Sequence, residues 1–249
     1  MDIRFAHIVI LFFVIFSMKQ INLQIFNLWK EYGHLSFRCM NRIPLFYSKP
    51  KKDCLLYVGL NPSFNEKFIT KIEQENDINF NWKRDYLLTN KIIEKIVEIE
   101  SGVKDENNKI FYKSYFGRLS RFAQKVGCDY EHVDIFFVRE TNQTEVKKVI
   151  FDKGESLNEF AKAQIKLSFK IIEQTKPRVI LVINALASKI YYNEFLHNQN
   201  INENGYYFTN IGRRKIPTFL SGMLTGQRAL DNYSLERLGW HIKQVIDKW

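Results

Sequence analysis

Three asparagines sit in positions where an amide could do chemistry. Asn61 lies in Gly59-Leu60-Asn61-Pro62-Ser63-Phe64, directly after an apolar run. Asn142 follows Arg139-Glu140-Thr141, and Asn184 closes the run Val179 to Ile183. A fourth polar segment, Ser221-Gly222-Met223-Leu224-Thr225-Gly226-Gln227-Arg228, follows another apolar run. A side-chain amide offers one acceptor and two donors on one rigid plane. Several of them around one rim can read a neutral ring by paired donors and acceptors. Asn and Ser are also ordinary turn residues, so one such segment says little. Four of them at comparable places favour a site.

The elements that would carry them follow from the apolar patterning. Short continuous apolar runs at 54–58, 133–138, 179–183 and 216–220 have the signature of strands buried on both faces, and 206–209 suits an added strand. Apolar residues recur at helical spacing over 20–32, 86–99, 112–126, 155–174, 185–196 and 230–249, while 67–84 reads as a long polar loop. Buried strands alternating with helices predict a three-layer α/β/α sandwich around a mainly parallel sheet. In such sheets ligands bind at the carboxyl ends of the strands. All four polar segments fall at those ends.

The chain of 249 residues contains no repeat and no Pro/Ser-rich linker, so residues 21–249 are expected to form one domain. Residues 1–20 are expected to form an apolar leader or N-terminal helix. Its run from Ile8 to Phe16 is shorter than a membrane span, and a start upstream of the native one would also explain it. Three widely spaced cysteines imply neither a disulfide framework nor a four-thiolate centre, and a reducing cytoplasm suits them. The five histidines lack metal spacing, and Gly222 to Gly226 has no phosphate-loop pattern, so no cofactor and no metal are expected. The net charge of +10 points to an anionic partner, DNA before a membrane surface. Lys51-Lys52 and Arg213-Arg214-Lys215 are candidate phosphate contacts. A monomer is expected.

Gly59-Leu60-Asn61-Pro62-Ser63 resembles the first motif of the uracil-DNA glycosylase superfamily, in its mismatch-specific Gly-x-Asn-Pro form. The order of elements over about residues 50–249 is similar too. The resemblance implies hydrolysis of the N-glycosidic bond of a base flipped out of DNA. It implies that Asn61 holds the attacking water through its side-chain carbonyl, that Phe64 stacks on the base, and that Asn142 or Asn184 pairs with its edge, with Gly59, Leu60, Pro62 and Ser63 of the same turn also binding the base. In the loop that matches the second motif in place, Leu224 would be the wedge in the vacated stack. Ser221, Gln227 and Arg228 would hold phosphate or the base carbonyl. That loop reads Leu220-Ser221-Gly222-Met223 and lacks the family's histidine. Two alternatives therefore stand beside the glycosylase: a catalytically weak or inactive nucleic-acid binder of the same fold, and an enzyme acting on nucleotides or nucleosides.

Overall fold

The computed structural model describes residues 17–67, 70, 74, 90–108, 111–153 and 156–248. The apolar run at 8–16, most of the polar stretch 67–84, and Leu87 and Leu88 lie outside the described residues.

The strands are β1 (Leu55–Gly59), β2 (Tyr130–Asp134), β3 (Val179–Ile183), β4 (Tyr207–Ile211) and β5 (Arg214–Ser221). They form a five-stranded sheet in the order β2-β1-β3-β5-β4. β1, β2, β3 and β5 are mutually parallel, and only the edge strand β4 is antiparallel to its neighbour. The carboxyl ends Gly59, Asp134, Ile183 and Ser221 consequently share one rim.

The helices are α1 (Met18–Glu31), α2 (Asn90–Lys104), α3 (Phe116–Lys125), α4 (Gln143–Ile150), α5 (Glu159–Thr175), α6 (Ala185–Glu194) and α7 (Asn232–Ile246). They cover both faces, which makes the three-layer sandwich. Strand alternation sorts the core into two halves. Leu56, Val58, Ile180 and Val182 face the cluster built with α1, α2, α5 and α6. Leu55, Tyr57, Val179 and Leu181 face the cluster built with α3 and α7. β1 and β3 are buried at every position, as continuous apolar runs require.

Local chemistry fixes the helix starts. Ser17 caps α1 in a reciprocal capping box with Gln20, and Asn158 and Asp231 cap α5 and α7. Two elements depart from the sequence reading. β2 begins at Tyr130 and ends at Asp134, because the polar-looking Glu131 and His132 are buried strand residues. The apolar 135–138 stretch continues past it along the turn after β1, with Ile135 N–H donating to the Gly59 carbonyl (3.0 Å) and Phe136 N–H to that of Leu60 (2.9 Å). α4 was not expected from the sequence, although Asn142 with Glu145 three residues on is a helix-start pattern.

Candidate functional site

The turn after β1 is stapled to the segment after β2. The Asn61 Nδ2 donates to three backbone carbonyls, those of Pro62 (3.0 Å), Val138 (3.0 Å) and Glu140 (2.7 Å). Carbonyls only accept, so the amide has one possible orientation and its Oδ1 is the atom left over. Glu140 N–H returns a bond to the Pro62 carbonyl. The Thr141 hydroxyl accepts from Phe64 N–H (3.1 Å) and donates to the Phe64 carbonyl (2.7 Å).

Behind this turn lies Arg42, which the sequence did not single out. Its guanidinium donates to the Arg139 carbonyl (2.6 Å) and the Glu140 carboxylate (2.9 Å), and lies 3.9 Å from the centre of the Phe64 ring. One face of Phe64 is thus held by a cation. The other oxygen of Glu140 accepts from the N–H groups of Thr141 and Asn142.

The remaining rim residues join in a chain. Asn142 caps α4 through its Oδ1, and Asn184 caps α6 by accepting from Leu186 and Ala187 N–H. In both caps the carbonyl oxygen is occupied and the NH2 is the part left to donate. The Gln143 side chain donates to Asn184 Oδ1 (3.3 Å), and Ser221's carbonyl accepts from Asn184 N–H (3.4 Å) and the Ser188 hydroxyl (2.9 Å). The structure therefore brings Asn61, Asn142, Asn184 and Ser221 to one rim, linked through Glu140 and Gln143. Gln227 and Arg228 are exposed in the loop beyond Ser221.

Two expectations are corrected. Leu224 is 7% exposed and belongs to the apolar cluster under α3 and α7, so a wedge at that position would have to leave the core. Arg213 lies in the β4–β5 turn and Arg214 opens β5, at the opposite end of that strand from Ser221, where Arg214 donates to the Lys176 and Pro177 carbonyls. A strand of eight residues puts about 25 Å between the two ends. Arg139, just before the rim segment, is 4% exposed and is engaged by Glu100 and the Ile43 carbonyl.

The floor beneath Gly59 is ionisable. Asp134 and His132 project from the same face of β2, and Tyr115 Oη lies 3.1 Å from His132 Nε2. The aspartate carboxyl has His132 Nδ1 at 3.9 Å and no hydrogen-bond donor among the described residues. Burial pushes its pKa up to about 7, against the pull of Lys104 and Arg139. Burial, helped by Lys104, pulls His132 down to about 3, so the imidazole is neutral. The signal for this pair was present as two polar residues at strand spacing.

Two cavities lie away from this rim. One of about 190 Å³ runs between α1 and α2, and one of about 440 Å³ opens near the amino end of β2 between Lys51, Lys104 and Tyr130. Neither includes a rim asparagine. Among the described residues no cluster of three or more His, Cys, Asp or Glu could hold a metal ion, and no helix is long and apolar enough to cross a membrane. Compared with protein-family models and with curated proteins, the chain matches none.

Proposed function

We propose that the protein hydrolyses the N-glycosidic bond of uracil or a related damaged base in DNA, as a uracil-DNA glycosylase-like enzyme with Asn61 at its centre. The observation that carries this reading is the three-carbonyl clamp on the Asn61 amide, which leaves Oδ1 to accept from a water. In the reaction that water's oxygen bonds to the sugar C1′ as the C1′–N bond breaks. The base leaves with the bonding electrons and the proton the water gives up. An amide oxygen orients a water and is too weak a base to remove its proton early, so slow turnover is expected. The NH2 groups left over at Asn142 and Asn184 suit acceptors on a base edge, and Arg228 suits a phosphate. The net charge of +10 supports DNA as the partner.

A second reading, a nucleic-acid binder with little or no catalysis, is favoured by one observation. The loop after β5 offers no histidine to stabilise a departing base anion, and its leucine is buried. Losing one preorganised donor of that kind costs about 3 kcal/mol of transition-state stabilisation in comparable sites.

The test is incubation with single- and double-stranded oligonucleotides that carry uracil, followed by alkali to cut abasic sites. Strand scission that disappears in Asn61→Ala supports the glycosylase. Binding without scission above that control supports the binder.

A further inference from the structure

We infer that the outer face of α3 and α7 is a binding track for single-stranded nucleic acid leading away from the rim. This rests on the nucleic-acid part of the proposed function and needs no catalysis. The two helices lie side by side on one face of the sheet. Gly239 of α7 faces the Phe122 ring of α3, and a Cβ there would lie in ordinary contact with that ring at 3.5 Å. Both helices begin at the rim: α3 runs down into β2, and α7 follows the loop after β5.

Their outward residues are cationic and aromatic. α3 carries no acidic residue, and Arg118, Arg121 and Lys125 form one exposed stripe at i, i+3 and i+7. On α7, Tyr233 is 80% exposed and Trp240 is 60% exposed. Seven residues apart, they stand on the same side of the helix, about 10 Å from each other along its axis. Arg237 is exposed between them. Facing α3, Glu236 is matched by Lys125 at 3.6 Å, which leaves Arg118, Arg121 and Arg237 without an ion pair among the described residues.

The occupant follows from that chemistry. Exposed aromatic faces beside unpaired cations suit a strand whose bases are free to stack and whose phosphates need neutralising. A duplex hides its base faces and would use only the cations. A protein interface also favours Tyr, Trp and Arg, but sets them in an apolar centre. Here the surroundings of Trp240 are charged.

The experiment uses the full chain and a labelled, uracil-free single-stranded oligothymidine, read by anisotropy at low and moderate salt. Trp240→Ala and Tyr233→Ala are each expected to weaken binding roughly tenfold, and Trp240→Phe to retain it. Arg118→Glu with Arg121→Glu is expected to weaken it further and flatten the salt dependence. All four side chains are exposed, and circular dichroism checks that the fold is kept. Binding unchanged in these variants overturns the inference. So does a result in which they alter only self-association, read by sedimentation, which would make the face a protein interface. Loss of uracil excision with Trp240-dependent binding intact would sink the glycosylase reading alone. Excision dependent on Asn61 with no effect of the face variants would sink this inference alone.

Discussion

Gly59 and Asp134 are register partners on β1 and β2, and the Asp134 carboxyl occupies the space that a Cβ on Gly59 would need. His132 Nε2 stands 3.1 Å from the same point. The glycine is therefore required by close approach, and its backbone conformation is one that any residue adopts. Gly59→Ala must expel Asp134 from its buried position, and a loss of about 3 kcal/mol is expected in urea denaturation. Adding Asp134→Ala should recover most of it. An equal loss in both backgrounds would show that the two residues do not compete for that space.

The same floor predicts an unusual pH response. Folded, Asp134 keeps its proton up to about pH 7, while unfolded it releases near its ordinary 3.8. The folded chain binds more protons in that window, so this group makes stability fall as pH rises through it. His132 acts oppositely. Its unfolded form takes up a proton below its ordinary 6.5, and its folded form stays neutral down to about 3, so stability rises with pH between those values. Across about pH 4 to 6.5 the slopes cancel, each about 1.4 kcal/mol per pH unit. Asp134→Asn should leave a protein that loses stability steeply below pH 6.5. His132→Asn should leave one that gains stability from pH 7 down to 4. Urea midpoints measured from pH 4.5 to 8 would separate the two, and parallel profiles would contradict the assignment.

How much of this was legible in the sequence depends on where each residue finds its partner. β1 and β3 were legible because each is a short, continuous apolar run with β-branched or aromatic residues that stops at turn residues, which is the pattern of a strand buried on both faces. β2 was displaced by three residues at its start because Glu131 and His132 look solvated. Their burial is supported by Lys104, 2.7 Å from Glu131, and by Tyr115, both distant in the chain. The rim asparagines were legible from position alone. The groups that orient them were not, because Arg42 and Glu140 meet only in three dimensions. Arg213 and Arg214 showed their charge in the sequence, but only the strand direction decides which end of the sheet carries it.

The amide clamp makes a sharp claim about Asn61. An aspartate at this position can only accept, yet it would face the carbonyls of Pro62, Val138 and Glu140. Asn61→Asp is expected to cost about 2–3 kcal/mol as a carboxylate. Those carbonyls favour the protonated acid, so its folded pKa should rise above the unfolded one. The variant's deficit should then be smaller at pH 5 than at pH 8, the opposite of an aspartate held by donors. Denaturation of the variant at both pH values checks this. A deficit that grows on acidification would mean that the side chain has turned out of the clamp.

Arg42 ties the turn to the core by three different interactions, and two substitutions separate them. The Arg42 and Glu140 side chains are only 10% and 11% exposed. Removing the cation leaves a buried carboxylate held only by the N–H groups of Thr141 and Asn142. Arg42→Met is therefore expected to lose about 3–5 kcal/mol, with partial recovery when Glu140→Gln is added. Arg42→Lys keeps the charge but loses the planar group that lies over Phe64 and also reaches the Arg139 carbonyl. It should cost less stability and loosen the turn, seen as faster hydrogen exchange at the Phe64 N–H, which is bonded to Thr141. If the Asn61 turn is the reacting centre, Arg42→Lys should also slow uracil excision more than it weakens DNA binding, because the residue shapes the turn without touching the backbone of the nucleic acid. Equal losses in excision and binding would assign Arg42 to DNA contact instead.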